Sequence, residues 1–285
     1  MQMTKPAWLK IRPQTGEKFR DIKKILEDLK LNTVCTGARC PNVGECWSHG
    51  TATFMILGEV CTRNCRFCAV KKGKLGEPLD PTEPGRVAQA VVKLGLKYVV
   101  LTSVDRDDLT DGGAGHFANC IKEIRRLDKN IIVEALIPDF GGDEMCLRKI
   151  TDALPDVVGH NIETVEELHV QVRDGRAGYK LSLEVLKKVK EMSSSIKTKS
   201  SLMLGLGETE VMILKTMDDL RSAGVSMLTL GQYLRPSTKQ LEVKEYVSPK
   251  KFAFYKKRAS EKGFISVMSG PFVRSSYMAE TSILE

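Results

Sequence analysis

The chain has 285 residues, 42% hydrophobic and 28% charged, with 44 Lys and Arg against 36 Asp and Glu for a net charge of +8. That suits one large domain with a small appendage, or two modest ones, in a soluble globular protein. No run approaches the roughly 18 apolar residues of a membrane span, and Met1-Gln2-Met3-Thr4-Lys5-Pro6 lacks the apolar core of a secretory signal, so the cytoplasm is the expected compartment.

Residues 17–30 carry Phe19, Ile22, Ile25, Leu26 and Leu29 at helical spacing, which predicts a short amphipathic helix. Residues 35–46, with Gly37, Pro41, Asn42 and Gly44, are too turn-rich for a regular element and are expected to be a loop folded around a metal. From residue 53 the pattern alternates. Strands are predicted at 53–57, 98–102, 131–136, 157–159, 200–204, 226–230 and 265–268. Helices are predicted between them at 87–94, 117–127, 145–152, 164–172, 182–192, 208–223 and 248–262. Short apolar strands each followed by a helix indicate parallel βα units. Six such units fit an α/β fold, a partial (β/α)6 TIM-like barrel, with chemistry at the C-terminal ends of its strands. The expected division is an N-terminal cysteine-rich extension at 1–50, the barrel at 51–270, and a C-terminal segment at 271–285 that closes over the site.

Six of the eight cysteines fall in two groups, Cys35-x4-Cys40-x5-Cys46 and Cys61-x3-Cys65-x2-Cys68. A reducing compartment favours metal binding over disulfides for them. Neither spacing is that of a zinc finger, in which two close pairs of ligands surround one ion. Three thiolates hold three irons of a four-iron cluster and leave the fourth open. A structural metal knot, zinc included, is the alternative, with His49 a candidate fourth ligand to the first group. Cys120 and Cys146 sit among apolar residues and read as core thiols.

Other polar residues follow predicted strands. Gly205 to Glu208 offers a backbone that can approach an adenosine closely. Asp105, Asn161 and Glu163 are placed to bind ribose hydroxyls or an ammonium, and Arg173 to pair with a carboxylate; helix capping or loop support is the competing role for each. The basic runs, Lys71-Lys72, Arg125-Arg126, Lys187-Lys188, Lys250-Lys251 and Lys256-Lys257-Arg258, are either solvated faces or a field that steers an acidic partner. With six Tyr and two Trp, little is available for stacking on nucleic-acid bases.

The second cysteine group, in the first βα loop, has the spacing of the radical S-adenosylmethionine (SAM) superfamily. The stretch from Cys35 to Trp47 resembles the lipoyl synthase family, as do 51–58, 102–109, 160–165, 202–209, 231–237 and Arg274-Ser275-Ser276-Tyr277. The resemblance spans about Pro6 to Ala279. Three places depart from it: Thr36-Gly37 replaces an acidic pair, Leu181 stands where an arginine is expected, and Arg235 where glutamine is common.

The resemblance implies two four-iron clusters and SAM as cofactors. Cys61, Cys65 and Cys68 would hold the cluster that reduces SAM. Cys35, Cys40 and Cys46 would hold an auxiliary cluster, completed by a serine oxygen, Ser276 ahead of Ser275, and consumed as sulfur donor. The implied reaction inserts sulfur at carbons 6 and 8 of a protein-bound octanoyl-lysine. The implied partners are octanoylated carrier domains (the E2 of 2-oxoacid dehydrogenases or the glycine cleavage H protein) or an octanoyl-lysyl peptide, and an electron donor such as ferredoxin or flavodoxin. Neither nucleic acid nor membrane is implied. The rivals are a biotin synthase-like or methylthiotransferase-like enzyme and, in another class, a non-catalytic iron–sulfur or zinc protein that binds nucleic acid.

Overall fold

Tyr98 to Ser103 shows how the sequence builds the sheet. Its β-branched and aromatic residues favour an extended chain, and side chains along a strand alternate in direction. Val99 and Leu101 pack on Val87, Val91 and Ile121 of the flanking helices, while Tyr98 and Val100 contact residues of the other face of the sheet. Both faces are buried, as in parallel sheets covered by crossover helices.

The protein was analysed as a computed structural model, which describes residues 4–10, 16–38, 40–48, 53–277 and 279–280. The strands are β1 (Asn32–Thr33), β2 (Thr53–Ile56), β3 (Val60–Cys61), β4 (Lys71–Lys72), β5 (Tyr98–Ser103), β6 (Ile132–Leu136), β7 (Val157–Gly159), β8 (Lys197–Leu204), β9 (Met227–Gln232) and β10 (Ser266–Gly270). The main sheet runs β1-β2-β5-β6-β7-β8-β9-β10 and does not return from β10 to β1 among the described residues. All of its pairs are parallel except β1 with β2. This is the expected six-unit partial barrel, continued past β9 by a seventh parallel strand and extended beyond β2 by a short antiparallel one. β3 and β4 form a separate parallel ladder.

The helices are α1 (Glu17–Asp28), α2 (Val34–Gly37), α3 (Val43–Ser48), α4 (Glu83–Lys93), α5 (Ala114–Leu127), α6 (Glu144–Asp152), α7 (His169–Val172), α8 (Tyr179–Met192), α9 (Glu210–Ser222) and α10 (Pro249–Glu261). Two expectations need correction. The 35–46 segment is not all loop: α2 starts at Thr33, whose hydroxyl accepts from Thr36 N, and α3 carries Cys46. The helix expected at 164–172 is broken into a 3-10 turn, Glu166–Leu168, and the single turn of α7.

The N-terminal extension shares the barrel's core. Ile22 and Leu26 of α1, with Cys35 and Trp47, belong to the same apolar cluster as Phe54, Val87 and Val99. The Phe19 and Trp47 ring centroids lie 5.0 Å apart. Inside the sheet, Lys199 Nζ lies 2.8 Å from Glu134 Oε2 and Tyr98 OH donates to the same carboxylate at 2.5 Å, all three buried. Every buried charge in this cluster has a partner, which a low-dielectric interior requires. Cys120 and Cys146 are buried thiols, as expected.

Candidate functional site

One cavity of about 510 Å³ brings together residues that are distant in sequence. Its wall includes Cys35, Cys40 and Cys46, Cys61, Cys65 and Cys68, and Ser275 and Ser276. The C-terminal ends of β5, β6, β7 and β9 contribute Asp105, Asp139, Asn161 with Glu163, and Gln232. Polar residues on one rim therefore meet two sets of three thiols in a single chamber.

The loop bearing Cys61, Cys65 and Cys68 is fixed by charge. Arg63, four per cent exposed, pairs with Asp107 at 2.8 Å and Asp139 at 2.5 Å and approaches Asp105 at 3.4 Å. Three carboxylates from the ends of β5 and β6 thus grip one guanidinium inside the cysteine loop. Cys61 Sγ donates to Asp105 Oδ2 at 3.6 Å, and Asp174 N donates to Cys65 Sγ at 3.4 Å. Burial pushes the Cys61 thiol up to about 12, and the neighbouring Asp105 adds to it. Burial also raises Cys35, Cys40 and Cys65, and takes Cys46 to about 12. Buried thiols of this kind stay protonated alone; a bound cation reverses that preference and releases the protons.

The tail crosses the same chamber. Asn42 Nδ2 donates to the Phe272 carbonyl at 2.6 Å, and Tyr277 OH donates to Glu45 Oε1 at 3.2 Å. Gly231 permits this path: a Cβ there would meet the Val273 carbonyl oxygen at 2.0 Å. Ala279 then packs on Tyr98 and Val100. The described part of the C-terminal segment thus runs along the site, and Ser275 and Ser276 line the chamber with Cys40 and Cys46. Arg274, on the same wall, has its ordinary pKa lowered by burial, with Cys40 acting in the opposite sense.

At the end of β7, Glu163 adopts φ 67°, a left-handed conformation that is costly for a residue other than glycine. It is held by its backbone, Glu163 N to Ser201 O and Met203 N to Glu163 O, both 3.0 Å, and by Asn161 Nδ2 to its side chain, also 3.0 Å. Burial raises the Glu163 carboxyl and the Asp105 carboxyl.

Asp105, Asn161, Glu163 and Arg173 all line the chamber. Gly205 and Glu208 do not. Glu208 instead accepts from Gly205 N at 2.5 Å and Leu206 N at 2.9 Å, and Gly205, at φ 101°, leaves room for Gln232 Nε2 and the Glu245 carbonyl. In this arrangement they shape the loop after β8. His49 lies outside the described residues, as do Arg39, Thr51, Ala52 and Met278 of the resembling segments. Leu181, where an arginine was expected, sits against Gly142 and packs on the core, away from the chamber. Sequence reasoning placed His160 on the rim without a role and missed Arg63, Arg274 and Ser182. The run Asp105-Arg106-Asp107-Asp108 and Asp139 just after β6 were the available signal, since clustered acids behind strands call for a buried cation.

The donor set fits iron–sulfur clusters. Thiols are the ligands of such clusters, and the two sets of three line one chamber together with a hydroxyl pair. Among the described residues, no group of three or more His, Cys, Asp or Glu side chains is gathered for a single ion.

The comparisons with known proteins agree. The family model of the radical SAM superfamily matches residues 55–220, and that of the N-terminal domain of lipoyl synthase matches residues 2–40. A lipoyl synthase of Halobacterium salinarum is 57% identical over 280 residues, covering 96% of this chain and 89% of the relative. One from Francisella tularensis subsp. novicida is 53% identical over 280 residues, covering 98% and 86%. Among solved structures, methylornithine synthase (PylB) superposes with a TM-score of 0.59 at 13% identity, over 87% of this chain and 74% of that one. The FeFe-hydrogenase maturase HydG of Carboxydothermus hydrogenoformans gives 0.57 at 14%, over 80% and 64%. The two structures speak to the fold alone.

Proposed function

The chain belongs to the lipoyl synthase family of the radical SAM superfamily, and from that premise we propose how its residues divide the work. It is an enzyme that inserts sulfur at carbons 6 and 8 of a protein-bound octanoyl-lysine, with SAM and two four-iron clusters as cofactors. When bound, one cluster supplies the electron that cleaves SAM to a hydrogen-abstracting radical, and the other supplies the two sulfurs.

In our reading Cys61, Cys65 and Cys68 hold the first cluster, and Cys35, Cys40 and Cys46 with Ser276 the second. The observation that carries this is the single chamber on which both cysteine sets and both serines open. A substrate carbon radical left by hydrogen abstraction would have to meet sulfur before it could react elsewhere, and one shared chamber would keep the two close. Arg63 fixes the first cysteine loop against the sheet. Asp105, Asn161 and Glu163 stand ready for the ribose hydroxyls and ammonium of SAM, and Arg173 for its carboxylate. Residues 1–50, 51–270 and 271–285 then act as auxiliary-cluster extension, barrel and closing tail.

The substrate is an octanoylated carrier protein; E2 or H-protein domains, or an octanoyl-lysyl peptide, are the forms we propose, with a ferredoxin or flavodoxin as donor. Among the described residues no helix is long and apolar enough to cross a membrane, and we place the enzyme in the cytoplasm. The test is a split of function. Alanine at Cys61, Cys65 or Cys68 should abolish 5′-deoxyadenosine. Alanine at Cys35, Cys40 or Cys46 should leave it forming while product sulfur disappears. Sulfur gain in the second set would overturn the division.

A further inference from the structure

Arg173 is tied down at one end only. Its Nη1 donates to Ser182 Oγ at 2.8 Å, and Ser182, on α8, is fully buried. That hydroxyl also lies 2.9 Å from His160 Nε2, while His160 Nδ1 lies 2.9 Å from the Ile137 carbonyl oxygen. A carbonyl only accepts, so Nδ1 carries the ring's proton and Nε2 of the neutral imidazole accepts. Ser182 therefore gives its one hydrogen to Nε2 and turns its lone pairs to Arg173. The chain Ile137–His160–Ser182–Arg173 has one arrangement of protons.

The other edge of this guanidinium is unused. Arg173 Nε is buried without a partner, and among the described residues Nη2 makes no hydrogen bond. Three neighbouring arginines show what that edge takes. Arg106 holds Asp108 through Nε at 2.8 Å and Nη2 at 2.9 Å. Arg176 holds Asp174 through the same two nitrogens at 2.9 and 3.2 Å, and Arg63 holds Asp107 at 3.1 and 2.8 Å. Each is a fork matched to a carboxylate. Arg173 is nine per cent exposed and lines the chamber with Cys65 and Glu163.

Resting on the reading of Arg173 as the carboxylate partner of SAM, we propose that Ser182 and His160 are positioning residues: they anchor Nη1 so that the Nε–Nη2 edge is presented to that carboxylate. The gain is pre-organisation, since a long arginine otherwise gives up rotamer freedom when it binds.

The test is equilibrium dialysis of the cluster-loaded enzyme with radiolabelled SAM and with decarboxylated SAM. Ser182→Ala should weaken SAM by about 10- to 100-fold, the range for one hydrogen bond to a charged group. It should weaken the decarboxylated analogue by less than about 3-fold, because that ligand makes no use of the fork. Equal losses for both ligands, or none for SAM, would overturn the proposal, since a merely structural serine cannot tell them apart. His160→Leu removes the acceptor that orients the hydroxyl; it should show the same selectivity, and it stands in should Ser182→Ala fail to fold. Arg173→Gln separates the two layers. If it leaves SAM affinity unchanged, the carboxylate reading itself falls; if it weakens SAM while both other variants do not, only the positioning role falls.

Discussion

Gly231→Ala tests whether the tail's path matters to sulfur transfer. The added Cβ would stand 2.0 Å from the Val273 carbonyl oxygen, where real contacts begin at about 3.0 Å. The obstacle is backbone, so the tail must retreat by at least about 1 Å, and Arg274 to Tyr277 retreat with it. Over-packing of this kind costs about 1–3 kcal/mol, which in a chain of this size lowers Tm by roughly 2–10 °C. A misplacement of about 1 Å at a reacting group costs about 100-fold in rate. The cysteine loop at Cys61 to Cys68 does not touch the altered contact. Gly231→Ala should therefore keep forming 5′-deoxyadenosine at near the parental rate while lipoyl product falls about 100-fold. Both products are read from one quenched reaction by mass spectrometry, with calorimetry as the check on folding. Equal loss of both, in a protein that still folds and holds its iron, would refute the reasoning, and so would full lipoyl yield.

Other outcomes follow from the same geometry. Arg63→Met strands Asp139, whose side chain is fully buried, and should cost about 3–5 kcal/mol in urea unfolding; a loss under 1 kcal/mol would mean that the three carboxylates hold the loop without it. His160 has its pKa lowered from 6.5 to about 4, chiefly by burial, then by Arg173, with Asp139 opposing. Between those values the unfolded chain takes up a proton that the folded one refuses, so stability falls as pH drops. The loss from pH 7 to 5 should be about 2 kcal/mol and should vanish in His160→Leu; parallel wild-type and variant curves would contradict it. Association with an acidic carrier domain should slow as salt rises, given the net charge of +8, and stopped-flow rates indifferent to ionic strength would remove steering from the account.

What the sequence showed was periodic or closely spaced. The βα alternation from residue 53 predicted the parallel sheet because strands such as β5 and β9 are buried on both faces and read as apolar runs. The cysteine spacings marked two sets of three thiols, and both sets line one chamber. Contacts across the chain left no such mark: Asn42 to Phe272 and Glu45 to Tyr277 close the chamber over separations of 230 and 232 residues. The turn-rich 35–46 segment hid α2 and α3 because a capping threonine and a few tertiary contacts stabilise helices too short to show a period. Glu163 gave no sign that it would break the following helix, since its left-handed backbone is imposed by β8. The hydrogen bonds by which Glu208 holds Gly205 and Leu206 were likewise not legible from their place after a strand.

The most direct test is an anaerobic reaction of the iron-reconstituted protein with an octanoyl-lysyl peptide, SAM and dithionite, followed by mass spectrometry of the peptide. The account predicts a peptide that gains two sulfurs and loses two hydrogens as 5′-deoxyadenosine accumulates. A chain carrying its full iron that leaves SAM intact, or cleaves it without adding sulfur, would contradict it.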